Sequence, residues 1–460
     1  MTNFIKKPIR TFESLTPPQM IVFSFGILIL LGTLLLSLPW ATRGERLPVV
    51  DALFTAVSAT CVTGLTVVDI SQELTRFGQW VVLVLIQVGG LGIMTFSTFF
   101  LYLLGRRVSI RGRDIIGSTV GHTPVPNIGA LLKKIMLLVF LLEGVGVVLL
   151  SLAWMKYHSV PQAIYHGVFH AISAFCNAGF SLYSDSFEGY QSDLVINGVV
   201  MALIILGGLG FVVLLDLKHL LKGPRKAFRH MSFHAKVVLM VTVYLIVIGT
   251  VLIFWVERAH TFQSVRPSSG LLMSLFQSVT ARTAGFNTVH IGTLTNGACF
   301  VLMLLMFIGG APGSCAGGVK VSTLGILAAM FFSRLRGYDE PQVFFRSIPR
   351  EMVGKALVIV LSSVFIISIV FVGLLLSEDW YLTPQESRGH FLELLFESIS
   401  AYGTVGLSMG ITPKLTTVGR LLIIVLMFVG RLGPLTMAVA LTGRKEKSRI
   451  RYARGEVMVG

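Results

Sequence analysis

Four short stretches of the chain repeat one pattern, a run of small and apolar residues that ends in glycine followed by an apolar residue. They read TAVSATCVTGL (55–65), FHAISAFCNAGF (169–180), FQSVTARTAGF (276–286) and FESISAYGTVGL (396–407). The small side chains leave the main chain accessible, and the main chain carries carbonyl oxygens. A ring of such carbonyls can replace the hydration shell of a monovalent cation. The four stretches therefore predict a cation filter made of backbone.

Each predicted filter strand is four residues long and ends at its glycine. Glycine reaches backbone conformations that other residues avoid, and it lets neighbouring strands approach closely. One glycine per strand, against two in potassium channels of the TVGYG kind, predicts a shorter filter. Contacts between small residues of membrane helices are the alternative, which recurrence in four copies disfavours. The predicted filter residues are Cys61, Val62, Thr63 and Gly64; Cys176, Asn177, Ala178 and Gly179; Arg282, Thr283, Ala284 and Gly285; and Gly403, Thr404, Val405 and Gly406.

Half-helices that enter the membrane and return on the same side would position these strands. The stretch before each glycine is too short to cross, since ten residues of helix cover only about 15 Å. Each half-helix would end at its strand, so that the partial negative charge of its C-terminus faces the cation. The expected half-helices cover 52–60, 163–175, 271–281 and 392–402.

The composition is that of a polytopic membrane protein. Apolar residues make up 54% of the chain and charged residues 13%, far from the values of soluble domains. Windows of about 20 apolar residues fit a hydrocarbon core roughly 30 Å thick. They predict eight spans, at 20–38, 80–104, 134–154, 195–215, 237–255, 300–332, 357–376 and 421–441.

The placement of charge predicts the orientation in the membrane. Basic residues concentrate at the N-terminus and in 106–134, 218–236, 334–355 and 444–454, while the intervening loops hold most of the acidic residues. By the positive-inside rule both termini and the basic segments are cytoplasmic. The net charge of +16 therefore orients the bundle and meets anionic lipid or a partner rather than nucleic acid.

Motifs for covalent chemistry are absent from the sequence. The four cysteines, Cys61, Cys176, Cys299 and Cys315, show no CxxC spacing, which argues against a metal site or a disulfide framework. The sequence holds no P-loop, HExxH or GxSxG pattern either. We therefore expect neither an enzyme nor a covalent cofactor.

The order of elements predicts four parallel repeats around an axis along the membrane normal. Each repeat would consist of a span, a re-entrant half-helix with its filter strand, and a second span (M1–P–M2). The second spans share a further glycine motif, in QVGGLGIMTF (87–96), ILGGLGFVVL (205–214), FIGGAPGSCAGGVKVST (307–323) and FVGRLGPLTM (428–437), 24 to 28 residues beyond the filter glycine. The fold class expected is all-α, with repeats at 1–121, 122–230, 231–345 and 346–460, the last with a cytoplasmic tail.

Together, these motifs resemble the Trk/Ktr/HKT superfamily of cation transporters, and most closely its KtrB potassium-translocating subunits. Supporting features are LTPPQ before the first span, the glycine motifs of the second spans and the terminal RYARGEVMVG. The resemblance covers nearly the whole chain. It implies potassium uptake across the bacterial inner membrane through one pore per chain, with Gly64, Gly179, Gly285 and Gly406 as selectivity glycines. Glycine in all four copies accompanies potassium selectivity in the superfamily, whereas serine in the first copy marks sodium-preferring plant relatives.

The resemblance also implies partners. A homodimer is usual, and a cytosolic KtrA-type octameric ring that binds a regulatory nucleotide would dock on the basic face, so that no nucleotide is expected on this chain. Na⁺ as an activator is left open. A symporter with a second, carboxylate-lined ion site is one alternative, although Glu143, Glu393 and Glu397 form no obvious cluster. A membrane enzyme or lipid carrier is the other.

The interrupted third second-span is expected to be a flexible intramembrane gate beneath the filter. Its loop, within 307–323, is rich in glycine and holds a proline that cannot continue a helix; a static kink is the alternative. Lys320 would either reach toward the cytoplasm or bind carbonyls or an acid in a gating role. The gating residues named are Gly309, Gly310, Pro312, Gly313, Gly317, Gly318 and Lys320.

Two arginines at membrane depth are functional candidates. The resemblance places Arg431 under the filter, where its charge raises the barrier to cations. A salt bridge to Glu143, Glu393 or Glu397 is the alternative. Arg282, inside a filter strand, is expected to point back into the protein toward carbonyls or a half-helix glutamate, and His170 and Glu397 to pack behind the filter.

Overall fold

The computed structural model describes residues 17–92, 128–217, 230–380, 383, 385 and 387–442, and this part of the chain is mostly α-helical. It contains fifteen α-helices and one short hairpin, β1 (Gln342–Val343) and β2 (Arg346–Ser347). The helices are α1 (Pro17–Leu36), α2 (Val49–Thr60), α3 (Arg76–Leu91), α4 (Ile128–Trp154), α5 (Val160–Cys176), α6 (Leu194–Gly208), α7 (Phe211–Leu217), α8 (Phe233–Glu257), α9 (Pro267–Thr280), α10 (Asn296–Phe307), α11 (Val321–Leu335), α12 (Arg350–Glu378), α13 (Ser387–Gly403), α14 (Thr417–Leu432) and α15 (Pro434–Thr442).

Four of these helices, α1, α4, α8 and α12, are each long and apolar enough to cross a membrane. Each of them is the first helix of a predicted repeat, and its length and composition fit a single continuous span. Two further spans arise if the bent pairs α6–α7 and α14–α15 each count as one. The predicted span at 80–104 runs from α3 into residues outside the described ones.

The predicted second spans at 195–215 and 421–441 are each sharply bent. Helices α6 and α7 meet at 112°, and α14 and α15 at 98°. At each bend lies a glycine with positive φ, Gly210 at +83° and Gly433 at +83°, and Gly92 at +76° ends α3 in the same way. Positive φ ends a right-handed helix, and Pro434 at the start of α15 adds a residue without an N–H. The windows of apolar residues used to predict the spans do not reveal these two bends.

The N-terminus of each helix that follows a filter strand is capped by a side chain. Thr75, Thr295 and Thr416 accept hydrogen bonds from main-chain N–H groups in the first turns of α3, α10 and α14, and Asp193 does so for α6. Such caps satisfy donors that a helix start leaves free. These helices therefore begin at defined positions.

Contacts between helices close a circle around the bundle axis. Each predicted half-helix packs against the helix that precedes it or follows it in the chain, as α5 does on α4 and α13 on α14. Each helix that follows a filter strand also packs against the half-helix of the next unit: α3 on α5, α6 on α9, α10 on α13, and α14 back on α2. The four half-helices are therefore brought around one centre. The division of the chain at 121, 230 and 345 stays a prediction.

Candidate functional site

The four glycine-ended stretches lie edge to edge in a closed ring. A Cβ atom placed on a ring glycine would lie 2.6 Å from the Ala178 carbonyl oxygen at Gly64, and 2.8 Å from that of Ala284 at Gly179. At Gly285 it would lie 2.3 Å from the Val405 oxygen, and at Gly406 it would lie 2.2 Å from the Thr63 oxygen. Real Cβ atoms do not approach this closely, so any side chain at these positions would open the ring. The order of contact, 64 to 179 to 285 to 406 and back to 64, is complete.

Each strand contains two residues with positive φ, the ring glycine and the residue two positions before it. The ring glycines have φ values of +93°, +71°, +82° and +93°, which glycine adopts at low cost. Two positions earlier, Val62 (+57°), Asn177 (+60°), Thr283 (+75°) and Thr404 (+50°) also have positive φ. For β-branched residues this conformation is a true outlier, and it costs on the order of 1–2 kcal/mol per residue. Strain of this kind persists where the surroundings enforce it and concentrates at functional sites.

The ends of the half-helices enforce the strained conformation. The N–H of Thr63 donates to the Ser58 carbonyl at 2.8 Å, that of Ala178 to Ser173 at 2.8 Å, and that of Val405 to Ser400 at 2.9 Å. These bonds span five residues and close over the left-handed residue, as in a Schellman motif. Helices α5 and α13 include Cys176 and Gly403, so those two strands begin one residue later than predicted.

A cavity of about 660 Å³ opens on one end of the ring. All four ring glycines line it, together with the residues that follow them in the chain. Its walls carry the carboxylates Asp69, Glu73, Asp185 and Glu188. The cavity is therefore an acidic vestibule that ends at the ring.

Two vestibule carboxylates have shifted pKa values of opposite sign. Burial raises the pKa of Glu188, only partly offset by His290 and by a hydrogen bond from Asn287. For Asp69, burial acts upward, but hydrogen bonds from Ser184, from the Ser71 side chain and from nearby main-chain N–H groups hold its pKa below the usual value. As the pH falls, Glu188 therefore loses its charge before Asp69 does.

The loop of residues 308–320 covers the other end of the ring. A Cβ on Gly317 would meet the Thr404 hydroxyl, and one on Gly309 would lie 3.3 Å from the Thr283 methyl group, at the start of the third and fourth strands. The ends of the loop pair with each other, since Gly309 N donates to Val319 O at 2.8 Å. The loop, called the plug below, is therefore held together at its base.

The loop is hydrogen-bonded to the second spans of other units. The N–H groups of Ala311 and Cys315 donate to the carbonyls of Gly208 (2.9 Å) and Gly207 (3.2 Å), which end helix α6. The N–H of Gly318 donates to Gly430 O of α14 at 3.3 Å.

Arg431 also binds the loop. Its guanidinium donates to the Cys315 carbonyl in the loop and to the Gly89 and Gly90 carbonyls at the end of α3, the last at 3.3 Å. None of the ion pairs among the described residues involves Arg431, so the salt-bridge alternative finds no support there. Because arginine has a planar fork of five donors, one side chain can hold several carbonyls in place. Arg431 therefore ties the loop to the first unit.

Lys320 binds the loop itself. Its ammonium donates to the Ala316 carbonyl at 2.7 Å and to the Gly317 carbonyl at 3.4 Å. The side chain thus folds back onto carbonyls rather than reaching toward the cytoplasm.

The remaining polar candidates lie behind the ring. Arg282 is buried and donates to the Thr242 hydroxyl at 3.4 Å, so it points away from the ring as expected, but its partner is a threonine of α8 rather than a glutamate. His170 accepts the Leu182 N–H at 3.2 Å on Nε2 and bonds the His166 carbonyl at 2.9 Å through Nδ1. Glu397 accepts from Thr412.

The glycines of the second spans let those spans touch the half-helices. A Cβ on Gly89, Gly207 or Gly430 would lie within 2.0 Å of the carbonyl oxygen of Thr60, Phe175 or Tyr402, respectively. Each of these carbonyls lies four residues before a ring glycine. In the third unit Gly309 meets Gly317 O of the loop instead. The regular interval between the ring glycine and the second-span glycine therefore reflects this contact between span and half-helix. The third unit, which lacks the contact, is the one that contains the plug.

Comparisons with known proteins agree with this architecture. The model of the TrkH family, described as "Cation transport protein", matches residues 5–449. The chain belongs to this family. "Ktr system potassium uptake protein B" of Bacillus subtilis (strain 168) is 40% identical over 447 residues, covering 97% of both chains. "Potassium/sodium uptake protein NtpJ" of Enterococcus hirae is 35% identical over 462 residues, covering 100% of both.

A solved structure shows the same fold. The crystal structure of the potassium transporter TrkH from Vibrio parahaemolyticus superposes with a TM-score of 0.69 at 20% identity, covering 91% of this chain and 84% of that one. The superfamily resemblance and the all-α membrane fold are thus confirmed, apart from the short hairpin β1–β2. The family is one of transport proteins, which also confirms the prediction that the chain is not an enzyme.

Acidification of the vestibule should reduce cation flux, and neutralisation of Glu188 should precede that of Asp69. Glu188→Gln should shift the loss of flux to lower pH, whereas Asp69→Asn should leave the upper part of the pH profile unchanged. The measurement is the pH profile of cation uptake with pH varied on the vestibule side only, with Glu351→Gln, an exposed residue remote from the vestibule, as control. A wild-type profile in Glu188→Gln would contradict the assignment.

Proposed function

We propose that this protein is a potassium uptake pore, in which K⁺ crosses the membrane through the ring of Gly64, Gly179, Gly285 and Gly406. The observation that carries the proposal is the closed ring of four glycine-ended strands between an acidic vestibule and a glycine-rich plug. Main-chain carbonyls of these strands would replace the water around the ion. No covalent chemistry is involved.

The ring and the relatives both support K⁺ as the transported ion. Carbonyls bind weakly hydrated monovalent cations without a fixed charge of their own, and all four units carry glycine at the ring. The printed names of the relatives at 40% and 35% identity concern potassium and potassium/sodium uptake. Uptake would be driven by the electrochemical gradient, at about 2.3 kcal/mol per charge for each 100 mV. Stimulation by Na⁺ is compatible with this scheme and is a separate question.

The plug acts as the gate, and Arg431 as its lock. With loop 308–320 bonded to α6 and α14, and Arg431 bonded to Cys315, Gly89 and Gly90, the ion path beneath the ring is closed. Opening requires the loop to release these bonds. The loop is held to its neighbours by main-chain hydrogen bonds, which a local opening can release.

A cytosolic partner would supply the signal to open. The basic segments predicted to face the cytoplasm are its docking surface, and a nucleotide-binding octameric ring of the KtrA type is the partner expected. The chain would act as a homodimer in the bacterial inner membrane with both termini inside. Most of those basic segments, and the terminal RYARGEVMVG as a candidate dimer contact, lie outside the described residues.

A coupled symporter is the less favoured function. Of the membrane carboxylates it would use, Glu143 accepts from the Gln87 amide at 3.0 Å and Glu397 from Thr412, at opposite sides of the bundle. No cluster of three His, Cys, Asp or Glu side chains suited to a metal ion occurs among the described residues. Equal K⁺ rates with and without Na⁺ would exclude strict coupling.

Substitution of a ring glycine should abolish potassium selectivity. Gly179→Ser and Gly285→Asp put atoms where the neighbouring strand already lies, so we expect loss of growth at low K⁺ in a bacterium without its own uptake systems. Gly198→Ala, in helix α6 with no atom within 4 Å of the new methyl group, should complement like the wild type. Equal growth of all four strains would contradict the filter assignment.

Removing the Arg431 side chain should raise the flux. Arg431→Ala breaks the bonds to the loop and to α3 and removes a positive charge from the ion path, so K⁺ uptake by the purified protein in vesicles should increase at least several-fold. Arg431→Lys keeps the charge but not the fork, and an intermediate rate would separate the two effects. Arg420→Ala, which breaks a pair with Asp51 outside the pore, is the control. Unchanged flux in Arg431→Ala would contradict the lock.

A further inference from the structure

Each half-helix carries one hydroxyl that faces its own filter strand. The four residues occupy matching positions, six residues before the ring glycine in three units and five in the third, whose stretch is one residue shorter. All four side chains are completely buried. They are Ser58, Ser173, Thr280 and Ser400.

Three of these hydroxyls donate to the carbonyl of the residue directly after the ring glycine. Ser58 donates to Leu65 O at 2.7 Å, Ser173 to Phe180 O at 2.8 Å and Thr280 to Phe286 O at 2.7 Å. These carbonyls are thereby turned toward the half-helix and away from the ion path.

Two of the hydroxyls hold the glycine itself. The N–H of Gly64 donates to the Ser58 oxygen at 3.1 Å, and the N–H of Gly406 donates to the Ser400 oxygen at 3.1 Å. Every strand is therefore fastened at its vestibule end to the half-helix that precedes it, by one or two hydrogen bonds. The fourth unit uses the acceptor side of its hydroxyl where the second and third use the donor side.

Other buried hydroxyls in the same half-helices behave differently. Ser398 donates to Leu394 O at 2.7 Å and Ser274 to Gly270 O at 2.8 Å, the usual bond of a helical hydroxyl to the carbonyl four residues earlier. The four matching hydroxyls give up that local bond for one to the strand. A hydroxyl that binds the filter strand thus differs from one that only completes a hydrogen bond within its own helix. Ser398 and Ser274, which are of the second kind, are matched controls.

We propose that Ser58, Ser173, Thr280 and Ser400 are positioning residues that set the discrimination between K⁺ and Na⁺. By fastening the strand ends, they fix how far the ring carbonyls can move inward around a smaller ion. In the first three units they also end the filter at the ring glycine, because the next carbonyl is already bonded. The inference rests on the proposed function, since it concerns the same ring.

The test compares ion selectivity in variants of the purified full-length protein in lipid vesicles, all made in the Arg431→Ala background so that the plug does not limit the flux. Thr280→Val removes the hydroxyl at nearly constant volume, and Ser58→Ala and Ser400→Ala remove it in two other units. Ser398→Ala and Ser274→Ala are the controls, and Thr280→Ser keeps the hydroxyl. The readout is the ratio of K⁺ to Na⁺ permeability from reversal potentials, with elution volume in detergent as the check on folding.

We expect the permeability ratio to fall by about fivefold per hydroxyl removed, the equivalent of one hydrogen bond, while total cation flux is maintained. The controls and Thr280→Ser should keep the wild-type ratio. Folded Thr280→Val and Ser58→Ala proteins with wild-type ratios would overturn the inference and leave the proposed function standing. Should Thr280→Val not fold, loss of selectivity in Thr280→Ser would overturn it instead. Absence of K⁺ flux in wild-type and in Arg431→Ala vesicles alike would overturn the proposed function as well.

Discussion

Main-chain carbonyl and N–H groups at membrane depth need partners, and the rest of this structure depends on how that need is met at the centre of the bundle. Irregular backbone in a membrane is tolerated only where it is buried in protein or faces water. Here the four strands satisfy part of their polar groups through the half-helix ends and the four hydroxyls. The carbonyls left over are the ones an ion can use. In this scheme, the filter consists of the main-chain carbonyls that have no hydrogen-bond partner within the protein.

Close approach of backbone explains where glycine is indispensable. At the ring, four strands meet with no room for a Cβ, and behind it Gly89, Gly207 and Gly430 let the second spans touch the last turns of the half-helices. Both sets come from the same requirement, since a ring of four strands can close only if the helices that carry them also approach. The third unit gives up the second contact and uses the space for the plug. One departure from the fourfold pattern thus produces the candidate gate.

The positions of the ring glycines and of the plug could be predicted from the sequence, because four copies in register are hard to produce by composition alone. The bends at Gly210 and Gly433 could not, since an apolar window is blind to a single residue with positive φ. Nor could the left-handed conformation of Val62 and Thr283 be predicted, as their residue types disfavour it. The four hydroxyls were visible within the quoted stretches. Their role emerged only with the register of each strand against its helix.

The same reasoning applies to the charged residues at membrane depth. The sequence predicts that Arg431 lies at the pore and that Arg282 points away from it. In the structure Arg431 binds the loop, and Arg282 binds helix α8. The hydrogen-bond partners of the charged residues were harder to predict from the sequence, because the reach of a side chain depends on the neighbouring helix. Arg282 donates to Thr242, and Lys320 donates to carbonyls of its own loop. Carbonyls rather than carboxylates accept from both Arg431 and Lys320. A plug held by carbonyls can be released without leaving a buried carboxylate unpaired.

The most direct test of the central claim is to locate the ion. A crystal of the protein grown with Rb⁺ in place of K⁺ would be measured at the rubidium absorption edge. The account predicts an anomalous peak on the axis of the ring, within coordination distance of the strand carbonyls that end at Gly64, Gly179, Gly285 and Gly406. A well-ordered ring with no peak there, or ions only at side-chain sites elsewhere, would contradict it.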